Sequence, residues 1–523
     1  MDTISTSTLP WLLPLLILLL LLPILSLQIL LRTKRKKPNL CPKLPPSPPR
    51  LPIIGNLHQL GKLPHQSLYR LSQKHGPIML LQLGYIPTLV VSSAEFAKQV
   101  SKTHDLHFCS RPRSPGPRRL SYDYLDVAFS PYSDSWRARR KLFVSELFSA
   151  KRSKIFMRAR EVEIDHLIRS LCQSPPNSAI NFDEKIFALV DGIVCRVAFG
   201  KSYEGKQFKG QKCQEVIGET IKMMDSFSAE NFFPSFGWIV DLLSGHRGRL
   251  EKCFGNLDEY FGRVIDDHLD LGREKLEQKD QDFIDVLVGL LKDDESSDFR
   301  FTKDHIKALI LNAFIGGVDT IAVAMVWAMS EVIKNSHVIE KLQEEIRSGL
   351  GKKSAFDPND LSNLKYLKMV VKETLRLHPP APLLIAHETL SHCKLGNNDD
   401  GYDVLAQTRV LINAWAIGRD PNYWKNPNEF FPERFEDNDV DFRGQHFELL
   451  PFGAGRRICP SIGMASSTVE LILANLLFHF DWEMPCGMRR EDISMEEEGG
   501  ITTHKKAPLC LVPIRYDLAR VVR

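Results

Sequence analysis

The sequence predicts one large, mostly α-helical domain with small β-sheets, standing behind a single N-terminal transmembrane helix. Three observations carry that expectation. Residues 9–31 form an apolar Leu/Ile run long enough to span a bilayer core as a helix. Residues 302–334 are apolar nearly all round through their middle, the pattern of a helix buried on every side. The β-rich runs, at 78–83, 88–91 and 408–412, are few and short.

The elements follow in order. Asp2 is the only charge ahead of the apolar run, and Arg32, Lys34, Arg35, Lys36 and Lys37 follow it. A cleaved signal would carry its basic group first and a shorter core, so an uncleaved anchor is expected over residues 1–37. The basic flank then faces the cytosol, and everything after it with it. Residues 1–37 hold the whole formal charge of +4, because the other 486 residues carry 63 basic and 63 acidic groups. A neutral body argues against a nucleic-acid-binding protein. Prolines 38, 42, 45, 46, 48, 49 and 52 make residues 38–56 a stiff linker ending in Gly55-Asn56.

From residue 57 to 523 no second long linker or internal repeat appears, so the body is one domain. Thr302 is the expected N-cap of the long helix, with Asp304 in its first turn. Residues 341–347 read as an amphipathic helix. Residues 361–377 read as another, stopped by Pro379-Pro380. The ten cysteines are scattered without a C-x-x-C pair, which speaks against a zinc site or a dithiol motif.

One cysteine stands apart. The segment 451–460 reads PFGAGRRICP and precedes an apolar helical pattern. Gly453 and Gly455 permit close backbone approach. Pro460 is expected at the first helical position, leaving Cys459 at a helix N-terminus, where a thiolate is stabilised. Arg456 and Arg457 add cations suited to carboxylates. A lone cysteine is more often an inert core residue, but this context reverses that expectation.

Phe452, Gly455, Arg457 and Cys459 match F-x-x-G-x-R-x-C-x-G, and the segment resembles the cysteine-ligand loop of the cytochrome P-450 superfamily. Ser461 replaces the last glycine of that pattern, which bears on packing beneath the cofactor. The resemblance implies the cytochrome P-450 fold, a haem b whose iron is ligated by the Cys459 thiolate, and Arg457 on a propionate. Glu373-Thr374-Leu375-Arg376 resembles the family's E-x-x-R, and PNEFFPERF at 427–435 its P-x-x-F-x-P-E-R-F. By the same resemblance Glu373, Arg376 and Arg434 form a buried triad bracing the ligand loop. Trp136 and Arg140 fit W-x-x-x-R, a propionate contact in the family, and His387 stands where many plant members have another.

The long helix carries Gly316-Gly317-Val318-Asp319-Thr320 at its centre. Glycines there cost about 1 kcal/mol each relative to Ala, and a carboxylate in an apolar helix is costly unless paired or functional. A packing contact with a satisfied core Asp is the plain alternative. Thr320 can instead bond back to the Gly316 carbonyl, bending the helix and freeing space. The segment resembles the family's [AG]-G-x-[DE]-T oxygen groove, which implies that Thr320 steadies bound oxygen while Asp319 relays protons.

No dinucleotide loop is visible, since Ile458 occupies the third glycine position after Gly453 and Gly455. Electrons are therefore expected from a partner, which the resemblance identifies as NADPH–cytochrome reductase. The Pro-rich linker is similar to that of the plant microsomal A-type group. This implies a single-pass enzyme of the endoplasmic reticulum membrane that hydroxylates or epoxidises a terpenoid, alkaloid or phenylpropanoid. Substrate contacts are expected at 111–129, 231–236, 309–317, 383–385 and 500–502. Two alternatives are a member that couples, closes or rearranges rings without net oxygen insertion, and a non-catalytic haem-binding protein.

Overall fold

The 302–334 stretch folds into one continuous helical path of 32 residues, Lys303–Lys334, and 78% of its most apolar window is buried in the body. It is a core helix, although its length and hydropathy would also suit a membrane. The His305 ring reaches back to the Thr302 amide at 3.3 Å and to its hydroxyl at 2.8 Å, closing the first turn. Midway, Ile315–Asp319 widens into a π-type turn between two α-helical halves. This computed structural model describes residues 42–148, 150–200, 213–270, 281–292, 301–350, 358–396 and 401–516. The apolar run 9–31 and its basic flank lie outside the described residues.

Around that helix the main elements run as follows. The first are α1 (Pro64–His75), β1 (Ile78–Leu83), β2 (Ile86–Val91), α2 (Asp134–Phe148), α3 (Ala150–Cys172), β3 (Ile180–Asn181), α4 (Phe182–Phe199) and α5 (Cys213–Asp225). Then come α6 (Gly237–Leu243), α7 (His246–Leu269), α8 (Phe283–Lys292), α9 (Lys303–Phe314), α10 (Thr320–Lys334), α11 (Ser336–Leu350) and α12 (Lys365–Leu377). The last are β4 (His387–Glu388), β5 (Arg409–Ile412), α13 (Ile462–His479), β6 (Phe480–Glu483), β7 (Glu497–Glu498), β8 (His504–Lys505) and β9 (Cys510–Arg515).

One sheet forms where the β-rich runs predict it, and the others form at positions the sequence does not mark. β1, β2, β5 and β4 make a four-stranded sheet in that order, with β2 and β5 parallel in the register Thr88↔Arg409 to Val91↔Ile412. A three-stranded sheet orders β3, β9 and β6, pairing Ile180 with Leu511 and Asp481 with Ile514. β7 and β8 form a short hairpin. Residues 45–56 pack onto β1: Pro46 accepts from Leu80 N–H, and the buried Asn56 side chain accepts from Gln82 N–H at 2.8 Å while donating to Pro49 O. Gly55 has φ +61°, and a Cβ there would lie 1.9 Å from Gln82 O, so only glycine lets the segment turn this close.

The largest apolar cluster joins α10, α12 and α13 with α3, α4 and α11. A second joins α9 to α4, α5, α7 and α8. The long helix contributes to both, so its π-type turn sits at their seam. Residues 361–377 are not one helix. Pro358–Asn363 is a 3-10 turn, and Leu364, at ψ 84°, breaks the path before α12. The amides of Tyr366 and Leu367 are capped by the Glu345 carboxylate from α11, at 2.8 and 2.9 Å.

Candidate active site

The loop before α13 is held by its glycines and arginines. Gly453 and Gly455 adopt φ +68° and +69°. A Cβ on Gly455 would meet Ser101 O at 2.1 Å, so the loop presses directly on the 99–103 segment. Cys459 N–H donates to Phe452 O at 2.9 Å, folding the loop back on itself. Arg457 is buried, donating to Cys109 O and Ser130 O at 2.7 Å each, and its guanidinium lies 3.8 Å from the Trp136 ring centroid. Arg140 donates to Ile458 O. The helix begins two residues later than the sequence suggests: Ser461 is the N-cap and Ile462 the first helical residue, so Pro460 precedes the helix.

Cys459 opens onto a cavity of about 280 Å³. Burial pushes its thiol pKa up, while the Ser461 hydroxyl at 3.3 Å and the Arg140 charge pull it down. The walls combine apolar side chains with Arg111, Arg140, Arg160, Arg457 and His387, and no Asp or Glu lines the cavity among the described residues. Arg111 is bonded only to carbonyls, those of Ala128, Ile385 and Ala386. Burial, then the Arg457 charge, lowers its pKa. Burial and the charges of Arg111 and Arg457 likewise push the His387 pKa well down, and its Nδ1 faces Phe108 O at 2.8 Å. Asp126 is the carboxylate that Arg111 feels, and it is committed to Ala128 N–H, Phe129 N–H and Asn312. A buried cluster of guanidiniums without a cavity carboxylate needs an anionic tenant. Haem supplies that charge in two propionates, and Cys459 supplies a soft axial donor, so the donor set fits.

The opposite wall is the long helix. Thr320 Oγ1 donates to Gly316 O at 2.7 Å, the back-bond expected from the sequence, and both residues line the cavity. A Cβ on Gly316 would meet nothing within 4 Å, so the π-type turn leaves open space there. Asp319 points the other way. It accepts from the Thr502 hydroxyl and lies 3.2 Å from His504 Nε2 of β8, whose ring stacks on Phe187. Burial lowers the His504 pKa, but the hydrogen bond and charge of Asp319, with Asp225 and Glu498, outweigh it and raise it above the ordinary value.

Behind the loop, Glu373 Oε2 accepts from Arg376 Nε at 2.7 Å, and Oε1 accepts from Arg376 Nη2, Phe431 N–H and Arg434 Nε at 2.8–2.9 Å. The triad forms, but its remaining donors reach carbonyls of Gly418, Lys425, Pro427 and Glu429. It fastens the chain leading to the ligand loop and does not bond the loop itself.

Of the residues singled out from sequence, Cys459, Arg457, Arg140, Phe452, Gly316 and Thr320 line one cavity. Asp319 and Trp136 do not, and the Trp136 N–H is spent on Val127 O at 3.0 Å. Nor does any residue of 231–236 or 500–502; Thr502 serves Asp319, and Ile501 N–H serves Asp225. Sequence reasoning missed Arg111 as a cavity cation. It heads the 111–129 stretch expected to contact substrate, but nothing in that stretch marks it as an anion partner, and only the fold brings it beside Arg457.

Fold and site together define a haem-binding oxidoreductase of the thiolate-ligated class. The family model "Cytochrome P450" matches residues 45–511. The chain is 50% identical over 476 residues to parthenolide synthase of Tanacetum parthenium, covering 90% of this chain and 92% of that one. It is 49% identical over 493 residues to 4-hydroxyphenylacetaldehyde oxime monooxygenase of Sorghum bicolor, with 94% and 92% covered. It is 48% identical over 476 residues to cytochrome P450 71B34 of Arabidopsis thaliana, with 91% and 94% covered. A zebra fish cytochrome P450 structure with progesterone superposes with TM-score 0.74 at 24% identity, over 86% of this chain and 99% of that one, a likeness of fold. The chain belongs to the cytochrome P450 family. It is a haem-thiolate monooxygenase that uses dioxygen, a lipophilic substrate and a redox partner.

Proposed function

We propose that Cys459 is the thiolate ligand of the haem and that the enzyme inserts oxygen into a lipophilic plant specialised metabolite. The observation that carries this is a cavity lined by Arg111, Arg140 and Arg457 onto which Cys459 opens, with no other cysteine and no acid in its walls among the described residues. Those three, with His387, would hold the propionates; Trp136 keeps Arg457 in place through its ring. Phe452 would pack against the macrocycle beside the loop. When bound, the haem supplies the redox chemistry that splits dioxygen, aided by thiolate donation. Thr320 offers a hydroxyl at the space above Gly316, and Asp319, held by Thr502 and His504 behind the helix, is the proposed proton relay. Apolar walls exclude bulk water and select a lipophilic substrate.

The substrate class follows from relatives whose names describe a parthenolide synthase and oxime monooxygenases. NADPH–cytochrome reductase is the proposed electron donor, docking near Cys459. Residues 1–37 are the proposed anchor in the endoplasmic reticulum membrane, residues 38–56 the linker, and residues 57–523 the catalytic domain on the cytosolic side. An apolar face supports that attitude. Ile53 and Ile54 are exposed, Ile54 O accepts from Gly84 N–H, and Phe232 O accepts from Tyr85 N–H. This chain of contacts leads to α6, where Trp238, Ile239, Val240, Leu242 and Leu243 are all exposed.

Reduced microsomes under CO test the ligand: the red-shifted Soret band of thiolate ligation is expected in the wild type and lost in Cys459→Ala. A band retained by that variant overturns the assignment. A metabolite-library screen with reductase, read by mass spectrometry for added oxygen, identifies the substrate.

A further inference from the structure

Ser461 stands where the family pattern has glycine, and its environment gives that departure a role. It is the N-cap of α13, a position where a serine hydroxyl ordinarily accepts from the backbone N–H of the first turn. Here it makes no such bond. Its Oγ instead lies 3.3 Å from Cys459 Sγ, its only hydrogen-bond partner among the described residues. The serine leaves the helix end uncapped and directs its hydroxyl to the sulfur. Glycine at this position would offer no hydroxyl.

From this we propose that Ser461 donates a hydrogen bond to the Cys459 thiolate and thereby sets the electron density that the sulfur gives to iron. The proposal rests on the reading of Cys459 as haem ligand. With an anionic sulfur the hydroxyl must be the donor, and a bond to a charged acceptor is about twice as strong as a neutral one. Donation draws charge from sulfur. Ferric iron gains more from thiolate donation than ferrous iron does, so the bond favours the ferrous form and raises the reduction potential. Ser461 is thus a positioning residue: it acts on the cofactor through its ligand, easing the first electron transfer at some cost in thiolate push.

The test uses the full-length holoenzyme and needs no substrate. Ser461→Ala and Ser461→Gly remove the hydroxyl, and Ser461→Thr keeps it. Spectroelectrochemical titration is expected to show Ala and Gly shifted by about tenfold toward the ferric form. That is about 59 mV more negative for one electron. Thr is expected at the wild-type value. The ferrous–CO Soret band of Ala and Gly is expected at longer wavelength than that of the wild type. Unshifted potentials in all three variants overturn the inference, as does a Thr variant that moves with Ala, since packing rather than the hydroxyl would then be responsible. A wild-type enzyme without a thiolate band overturns the reading of Cys459 and this inference with it. A normal wild-type band with unshifted variants overturns the inference alone.

Discussion

Glu373→Gln should be among the most damaging conservative substitutions in this chain. Glu373 and Arg376 are 0% and 1% exposed. The carboxylate accepts four hydrogen bonds, two of them from Arg376, one from Arg434 and one from Phe431 N–H. Glutamine keeps one acceptor oxygen for the three donors at Oε1. Its NH2 then faces Arg376 Nε–H, donor against donor, and the charge opposing two guanidiniums is gone. Breaking a buried ion pair from one side costs about 3–5 kcal/mol. With an unfolding entropy of about 2 cal/mol/K per residue, a body this size shifts by about 1 °C per kcal/mol, so Tm should fall by about 3–5 °C. Scans of haem-band loss at one fixed heating rate provide the assay. Lys341→Ala breaks the Lys341–Glu433 pair, whose lysine is 48% exposed, and serves as the control at less than about 1 kcal/mol. Equal losses in the two variants would refute the reasoning.

Gly455→Ala places a methyl group 2.1 Å from Ser101 O at φ +69°. The left-handed conformation alone costs about 1–2 kcal/mol, and the clash moves the loop; far-UV circular dichroism should persist while the CO-difference band is lost. Asn312→Ala removes the acceptor that holds Val127 and Ala128 N–H at 2.7 and 3.1 Å. The Val127 amide is orphaned while Ala128 N–H keeps Asp126 Oδ2 at 3.1 Å, so the change should cost about 1–3 kcal/mol and make the 126–129 segment measurably more sensitive to limited proteolysis. Glu497 accepts from His65 and Gln66 at 2.7 Å each. Burial raises its pKa, but those bonds and the His65 charge outweigh it and hold it at about 2. A depressed carboxylate stabilises the fold above its unfolded pKa and ceases to do so as pH falls through the folded one. Glu497→Gln should therefore lose about 3 kcal/mol at neutral pH, a deficit that shrinks between about pH 4.5 and 2.

What could be read ahead of the structure was what depends on neighbours in sequence. The Thr320 back-bond spans four residues, the glycine turns of the ligand loop are local, and the β1, β2 and β5 runs carry their own propensity. What escaped depends on distant partners. The start of α12 is set by Glu345 from another helix, and no local pattern at 361–364 records that. Pro460 looked like a first helical residue because its own preferences suit that place, yet the helix starts at Ile462 with Ser461 as its N-cap. Asp319 was expected to face the cavity, yet Thr502 and His504, more than 180 residues on, hold it from behind. Arg111 gains its meaning only beside Arg140 and Arg457.

The pairing of β3 with β9 also bears on how the chain is made. Ile180 waits for Leu511, and Asp183 for the amide of Leu509. A ribosome adding about 5–20 residues per second needs roughly 15–65 s to bring those partners out after β3 has emerged. Through that interval α4 has its apolar face formed and one of its edges unfilled. The haem cavity takes walls from both α4 and α13, so it closes only after residue 469 has emerged. Cofactor capture is thereby tied to the emergence of α13, long after α4 has left the ribosome.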